Sequence, residues 1–168
     1  MYIDVNKLFG DDNKQTSFDF SFDLSNECFN GFSVKEPCSG TITVTSMGDI
    51  LALSLEANAE ICAECARCLA PVVKTFKIKR NAEVKAGQLQ SDEEDLPFTE
   101  DDKLDVKELV SKELFSRVPT VLLCSDDCKG LCPVCGRNKA DGCDCDKNVT
   151  DERFAVLKQL LNDSEHND

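Results

Sequence analysis

Histidine is almost absent from this chain: His166 is the only one in 168 residues, and it lies in the polar run Ser164-Glu165-His166-Asn167-Asp168. Catalytic zinc centres and Cys/His nucleophile pairs draw on imidazole, so neither has the residues it needs here. No nucleophile elbow or phosphate-binding glycine loop occurs either. No apolar run approaches the roughly 18 residues of a membrane-spanning helix. The first seven residues lack the charged-then-apolar design of a secretion signal, which predicts a cytoplasmic protein with no membrane partner. Basic residues are scarce as well, 19 Lys and Arg against 32 Asp and Glu, for a formal charge of -13. Affinity for nucleic acid comes largely from Lys and Arg neutralising phosphates, so such a chain is a poor independent binder of RNA or DNA. Opposite fields steer association, and a basic protein partner suits it better.

What the chain has in plenty is cysteine, eleven in all. In a reducing cytosol these read as metal ligands rather than a disulfide framework, and an odd number leaves one unpaired in any all-disulfide scheme. Six fall in one run, Cys124, Cys128, Cys132, Cys135, Cys143 and Cys145. Cys132-x-x-Cys135, with Pro133 inside and Gly136 after it, is a turn that can aim two sulfurs at one ion. Gly136 and Gly142 permit the left-handed backbone of such turns. Cys143 and Cys145 complete four thiolates, the ligand set of a closed structural zinc site. Cys65 and Cys68 form another close pair upstream. Eight cysteines then make two tetrahedral sets. The first is Cys65, Cys68, Cys124 and Cys128, and the second is Cys132, Cys135, Cys143 and Cys145. The rival is a single site of Cys65, Cys68, Cys132 and Cys135. Cys28 and Cys38 read as small buried apolar residues, and Cys62 as a spare on the polar side of its strand. Zinc, one or two ions per chain, fits four thiolates; iron in a rubredoxin-like site uses similar turns. A thiol-disulfide oxidoreductase would place its Cys-x-x-Cys on a βα junction of a parallel sheet, which is not the context here.

Around these cysteines the chain reads as α+β, one domain over residues 1–168. The body, 1–87, is rich in strands. Phe18, Phe20 and Phe22 alternate with polar residues, and Leu51, Leu53, Leu55, Ala57, Ala59 and Ile61 occupy one side of a long alternating stretch. A strand covered on one side belongs to an antiparallel sheet, open or curved toward a barrel. Val72, Phe76, Ile78, Ala82 and Val84 repeat the period after an interruption at 62–71, so Cys65 and Cys68 should sit at a hairpin tip. Residues 88–105 form an acidic loop. It lacks the ligand spacing and central glycine of a calcium-binding EF-hand. In 106–123, Asp105 should cap a helix carrying Val106, Leu109, Val110, Leu114 and Phe115, and 120–123 should form a short strand. The cysteine metal module spans 124–146, and a second helix is expected at 150–163, capped by Thr150 or Asp151, with Phe154, Leu157, Leu160 and Leu161 on one face.

Three separated motifs resemble one family. Cys65-Ala66-Arg67-Cys68-Leu69 is similar to the Cys-x-Arg-Cys-Leu element of the YceD family, bacterial proteins linked to accumulation of 23S ribosomal RNA. The run from Cys128-Lys129-Gly130 through Leu131-Cys132-Pro133-Val134-Cys135-Gly136 to Cys143-x-Cys145 resembles that family's cysteine module. Asp151-Glu152-Arg153-Phe154 resembles the start of its closing helix. Cys62 departs from the pattern. The resemblance implies a non-enzymatic factor in large-ribosomal-subunit biogenesis. Joined to the acidic charge, it points to a basic ribosomal protein or assembly factor as partner. A direct RNA contact would fall on the basic strip Arg67, Lys74, Lys77, Lys79 and Arg80. The alternative is a zinc-stabilised adaptor in transcription or another nucleic-acid process.

Overall fold

The computed structural model describes residues 1–10, 14–25, 27, 31–87 and 95–145. The chain divides into two compact units, 1–126 and 127–168.

The first unit holds a two-stranded sheet of β1 (Tyr2–Asp4) and β7 (Lys103–Asp105) and a five-stranded sheet of β2 (Gln15–Phe22), β3 (Phe32–Val34), β4 (Cys38–Met47), β5 (Ile50–Glu64) and β6 (Pro71–Lys85). The alternation in 51–61 explains why β5 is central. Leu51, Leu53, Leu55, Ala57, Ala59 and Ile61 are all buried, while Glu56 and Asn58 between them are exposed. Each large aliphatic side chain so buried contributes about 1.5–3 kcal/mol. β6 pairs with β5 along its whole length, from Ile50–Lys85 to Glu64–Pro71. On the other edge β4 takes the first part of β5 and β3 takes Ile61 to Ala63; β2 then pairs with β4. All these pairings are antiparallel. On β2, Phe20 is buried and stacks on Phe22 with ring centroids 4.8 Å apart.

Among the described residues β2 and β6 do not pair, so the sheet is open rather than closed into a barrel. Beside β6 lies not a strand but a helix, α1 (Val106–Arg117). Arg117 Nη2 donates to the Lys79 carbonyl of β6 at 2.5 Å and so occupies a backbone acceptor that a closing strand would use. α1 starts where its sequence says it should. The Asp105 carboxylate accepts from the backbone N–H groups of Lys107 (3.0 Å) and Glu108 (3.3 Å), satisfying donors that the first helical turn leaves unpaired. Val106, Leu109, Val110 and Leu114 are buried, but Phe115, expected on the same stripe, is 54% exposed.

Two further expectations need correction, and a third is not tested. The end of the acidic segment is not all loop, because β7 pairs with β1 and brings Leu104 and Ile3 into the core. Residues 120–123 form no strand; the segment runs past the hairpin tip, to which one backbone hydrogen bond, described below, ties it. Finally, α1 is the one α-helix among the described residues, and the second helix expected at 150–163 lies outside them.

Gly40 on β4 shows how tightly the strands approach. A Cβ there would press on the Glu56 carbonyl and sit 2.6 Å from Ala57 Cβ on β5. Gly40→Ala should therefore cost about 1–3 kcal/mol by overpacking against a backbone that cannot retreat. Urea unfolding at fixed metal content checks this, and an unchanged midpoint would show that the strands can part.

Candidate metal centres

Residues 65–70 reverse the chain between β5 and β6. Cys65 N–H donates to Ala70 O at 2.8 Å, and Leu69 N–H donates to Cys65 O at 2.9 Å. The turn holds the sulfurs of Cys65 and Cys68 at the end of the hairpin, with both residues buried. Beyond α1 the chain passes this tip. Ala66 N–H donates to Leu122 O at 2.9 Å, and Leu122 is itself buried. Cys124 follows two residues later. Its sulfur lies 3.6 Å from that of Cys68. That is far beyond the roughly 2.05 Å of a disulfide. It is close to the ~3.8 Å edge of a tetrahedron built on metal–sulfur bonds of about 2.3 Å. The ligand atoms of Cys65, Cys68, Cys124 and Cys128 all lie within 4.8 Å of one another.

A second turn of the same design occurs within the second unit. Gly136 N–H donates to Cys132 O at 2.9 Å and Cys132 N–H donates to Arg137 O at 2.7 Å. A short 3-10 turn, Lys139–Asp141, follows, with the Asn138 side chain accepting from Ala140 N–H at 3.0 Å. Gly142, at φ +74°, then turns the chain back toward Cys143 and Cys145. Lys139 N–H donates to Gly130 O at 2.9 Å and closes this loop on itself. The sulfurs of Cys132, Cys135, Cys143 and Cys145 also lie within 4.8 Å of one another. The structure thus groups Cys65 and Cys68 with Cys124 and Cys128, and Cys132 and Cys135 with Cys143 and Cys145.

Each cluster is built to hold negative charge. The Cys124 backbone N–H, helped by those of Arg67 and Cys68, brings the Cys65 thiol down to about 6, against the cost of burial. The N–H groups of Cys135 and Val134 do the same for Cys132, also to about 6. Their neighbours respond in the opposite sense. The Cys145 N–H favours the Cys143 thiolate, but the sulfurs of Cys132 and Cys135 outweigh it and raise that thiol. Cys145, hydrogen-bonded to the Cys135 sulfur, is pushed up to about 12. Four sulfurs this close cannot all ionise unaided; a cation among them would release the remaining protons. Four thiolates also fill a tetrahedral ion's coordination, which leaves no position for a substrate. Either cluster could hold a metal ion, and the donor set fits a structural one.

The other cysteines stand apart. Cys38 is fully buried, and burial pushes its thiol up to about 11, as suits an apolar filler. Cys62 is half-buried on β5, in register with Val73 and Ser33, and belongs to neither sulfur group. Cys28 lies outside the described residues. The basic strip also divides. Lys77 and Lys79 stand on one face of β6, where Lys79 Nζ lies 2.7 Å from Glu56 Oε1. Lys74 and Arg80 have the opposite parity, opposite Ile61 and Leu55, and Arg80 Nη1 lies 3.7 Å from Glu113. The four cations of β6 thus form no single face for a phosphate backbone to follow.

Sequence reasoning missed one feature of the first turn. Leu69 has φ +61°, and Gly136, at the matching place in the second turn, has φ +71°. For a branched side chain that conformation costs about 1 kcal/mol or more. The matching spacing, Cys-x-x-Cys followed by Leu in one turn and by Gly in the other, was the signal available.

Among the described residues no helix is long and apolar enough to cross a membrane. A family model described as large ribosomal RNA subunit accumulation protein YceD matches residues 53–161, a span containing all eight clustered cysteines. Comparison with curated proteins and with solved structures finds no match.

Proposed function

The chain belongs to the YceD family, and from that membership we propose that it is a non-enzymatic factor supporting accumulation of the large-subunit ribosomal RNA in the bacterial cytoplasm. It acts by protein contact, on a fold pinned by two structural zinc ions. Cys65, Cys68, Cys124 and Cys128 hold one ion; Cys132, Cys135, Cys143 and Cys145 hold the other. The family match carries the ribosomal part of this reading, and the two four-sulfur groups support the zinc part. Zinc is favoured over iron because a closed thiolate site with a structural role needs no redox change.

The partner is a basic ribosomal protein or assembly factor. A formal charge of -13 repels RNA and attracts a basic surface. Division of the basic strip, with Lys79 and Arg80 facing Glu56 and Glu113, weakens the case for direct RNA contact.

Co-sedimentation of the purified protein with large-subunit precursor particles tests the reading. Binding that weakens with added salt is the expected result, because it reports attraction between opposite charges. Capture by RNA polymerase with no particle association would favour an adaptor in transcription instead.

A further inference from the structure

Leu69 is in the wrong conformation for a leucine and in the wrong place for a core residue. Its backbone is left-handed, its N–H closes the turn on Cys65 O, and its side chain is 59% exposed. The second cysteine turn provides an internal control. There Gly136 makes the same hydrogen bond to Cys132 O at the same 2.9 Å, in the same left-handed region, with no side chain at all. The turn therefore does not need leucine to form. Nor does the core, because most of the side chain faces solvent. A residue that strains the backbone and buries little in its own chain acts on something outside it.

The surroundings agree. Val73, at the start of β6, is 55% exposed, and Val121, one residue before the Leu122 that ties down the tip, is 58% exposed. Apolar side chains thus cluster in the segments that make and flank this end of the hairpin. There is no exposed aromatic among them for a nucleotide base to stack on, which nucleic-acid surfaces commonly supply.

We propose that Leu69 is the apolar anchor of a docking surface at the first cysteine turn, inserted into an apolar pocket on a basic protein partner. This rests on the functional reading above and names the contact it would use. Charge selects the occupant: a chain at -13 meets a basic protein far more readily than another copy of itself. The cysteine cluster gives the anchor its rigidity, so little freedom is lost when it docks.

The test is Leu69→Gly, with Leu69→Asn as a second variant that also tolerates the left-handed region. Both should keep the wild-type metal content and melt at or above the wild-type temperature, since the strain is relieved. Binding to salt-stripped large-subunit proteins should nevertheless weaken by roughly ten- to hundredfold, the effect of losing one buried leucine. Equal binding by wild type and both variants overturns the anchor while leaving the ribosomal reading intact. No binding by the wild type, to these proteins or to precursor particles, overturns both. Loss of affinity for protein-free 23S RNA, or conversion of a dimer to a monomer in sedimentation, would assign the surface to another occupant and likewise overturn the proposal.

Discussion

Removing metal with a strong chelator should erase the ordered structure of residues 128–145 while leaving the β-sheet folded. The difference follows from what each part buries. The sheet has a core of Leu51, Leu55, Ile61, Ile78, Leu114 and their neighbours, all essentially inaccessible to water. In 128–145 the buried residues are Cys128, Gly130 and Cys132; Val134 is 58% exposed. A handful of turn hydrogen bonds, each worth about 1 kcal/mol net, cannot offset the ordering entropy of eighteen residues at about 1–2 kcal/mol each. An ion gripped by four thiolates can, since the roughly 10–16 kcal/mol by which structural zinc binds small peptides near neutral pH is what remains after the cost of ordering them. Amide resonances of 128–145 should therefore collapse toward random-coil positions while those of β5 and β6 keep their dispersion. Elemental mass spectrometry should find two zinc per chain before chelation. Cys143→Ser should lower that to one and disorder only its own loop, and Cys65→Ser should lower it to one and loosen the hairpin tip. A chelated protein with 128–145 still ordered would show that the loop needs no metal.

How far these features could be read from sequence depends on whether they are local. The inward face of β5 was legible because period-two burial is written into every second residue, from Leu51 to Ile61. The cap at Asp105 was legible for the same reason: a carboxylate ahead of an apolar stripe has one obvious use. The grouping of Cys132, Cys135, Cys143 and Cys145 needs only a short loop, and spacing alone suggested it. Cys65 and Cys124 are different, because their approach depends on α1 carrying the chain back past the hairpin tip. The Ala66–Leu122 hydrogen bond that secures this passage leaves no periodic trace. The pairing of β1 with β7 was invisible likewise, since three residues are too few to establish a period. Phe115 misled because it is apolar and follows Leu114 directly, yet one residue is about 100° of turn, which carries it to the face opposite Val106. The division of the basic strip is legible in its sequence: Lys77 and Lys79 differ in parity from Lys74 and Arg80, so a strand must separate them.

Metal affinity at the second cluster should fall steeply with acid, by at least about a hundredfold per pH unit between pH 8 and pH 6, because at least two protons, those of Cys143 and Cys145, are displaced there for each ion bound. Cys132 is already mostly ionised in the upper part of that range, its thiol lying near 6. Cys143 and Cys145 are not: both are raised, Cys145 to about 12, and each must give up its proton before its sulfur can bind. Below pH 6 Cys132 protonates in turn and the slope should steepen. The sign carries over to folding. Metal-bound thiolates hold no protons, whereas the thiols of the unfolded chain are protonated until the pH approaches about 9, so the unfolded state binds more protons and stability of the loaded module rises with pH. Competition against a chromophoric chelator at pH 6, 7 and 8, corrected for the chelator's own protonation, measures the slope. A slope near zero would mean that the sulfurs are already fully ionised without a cation, and the electrostatic account of the cluster would fail.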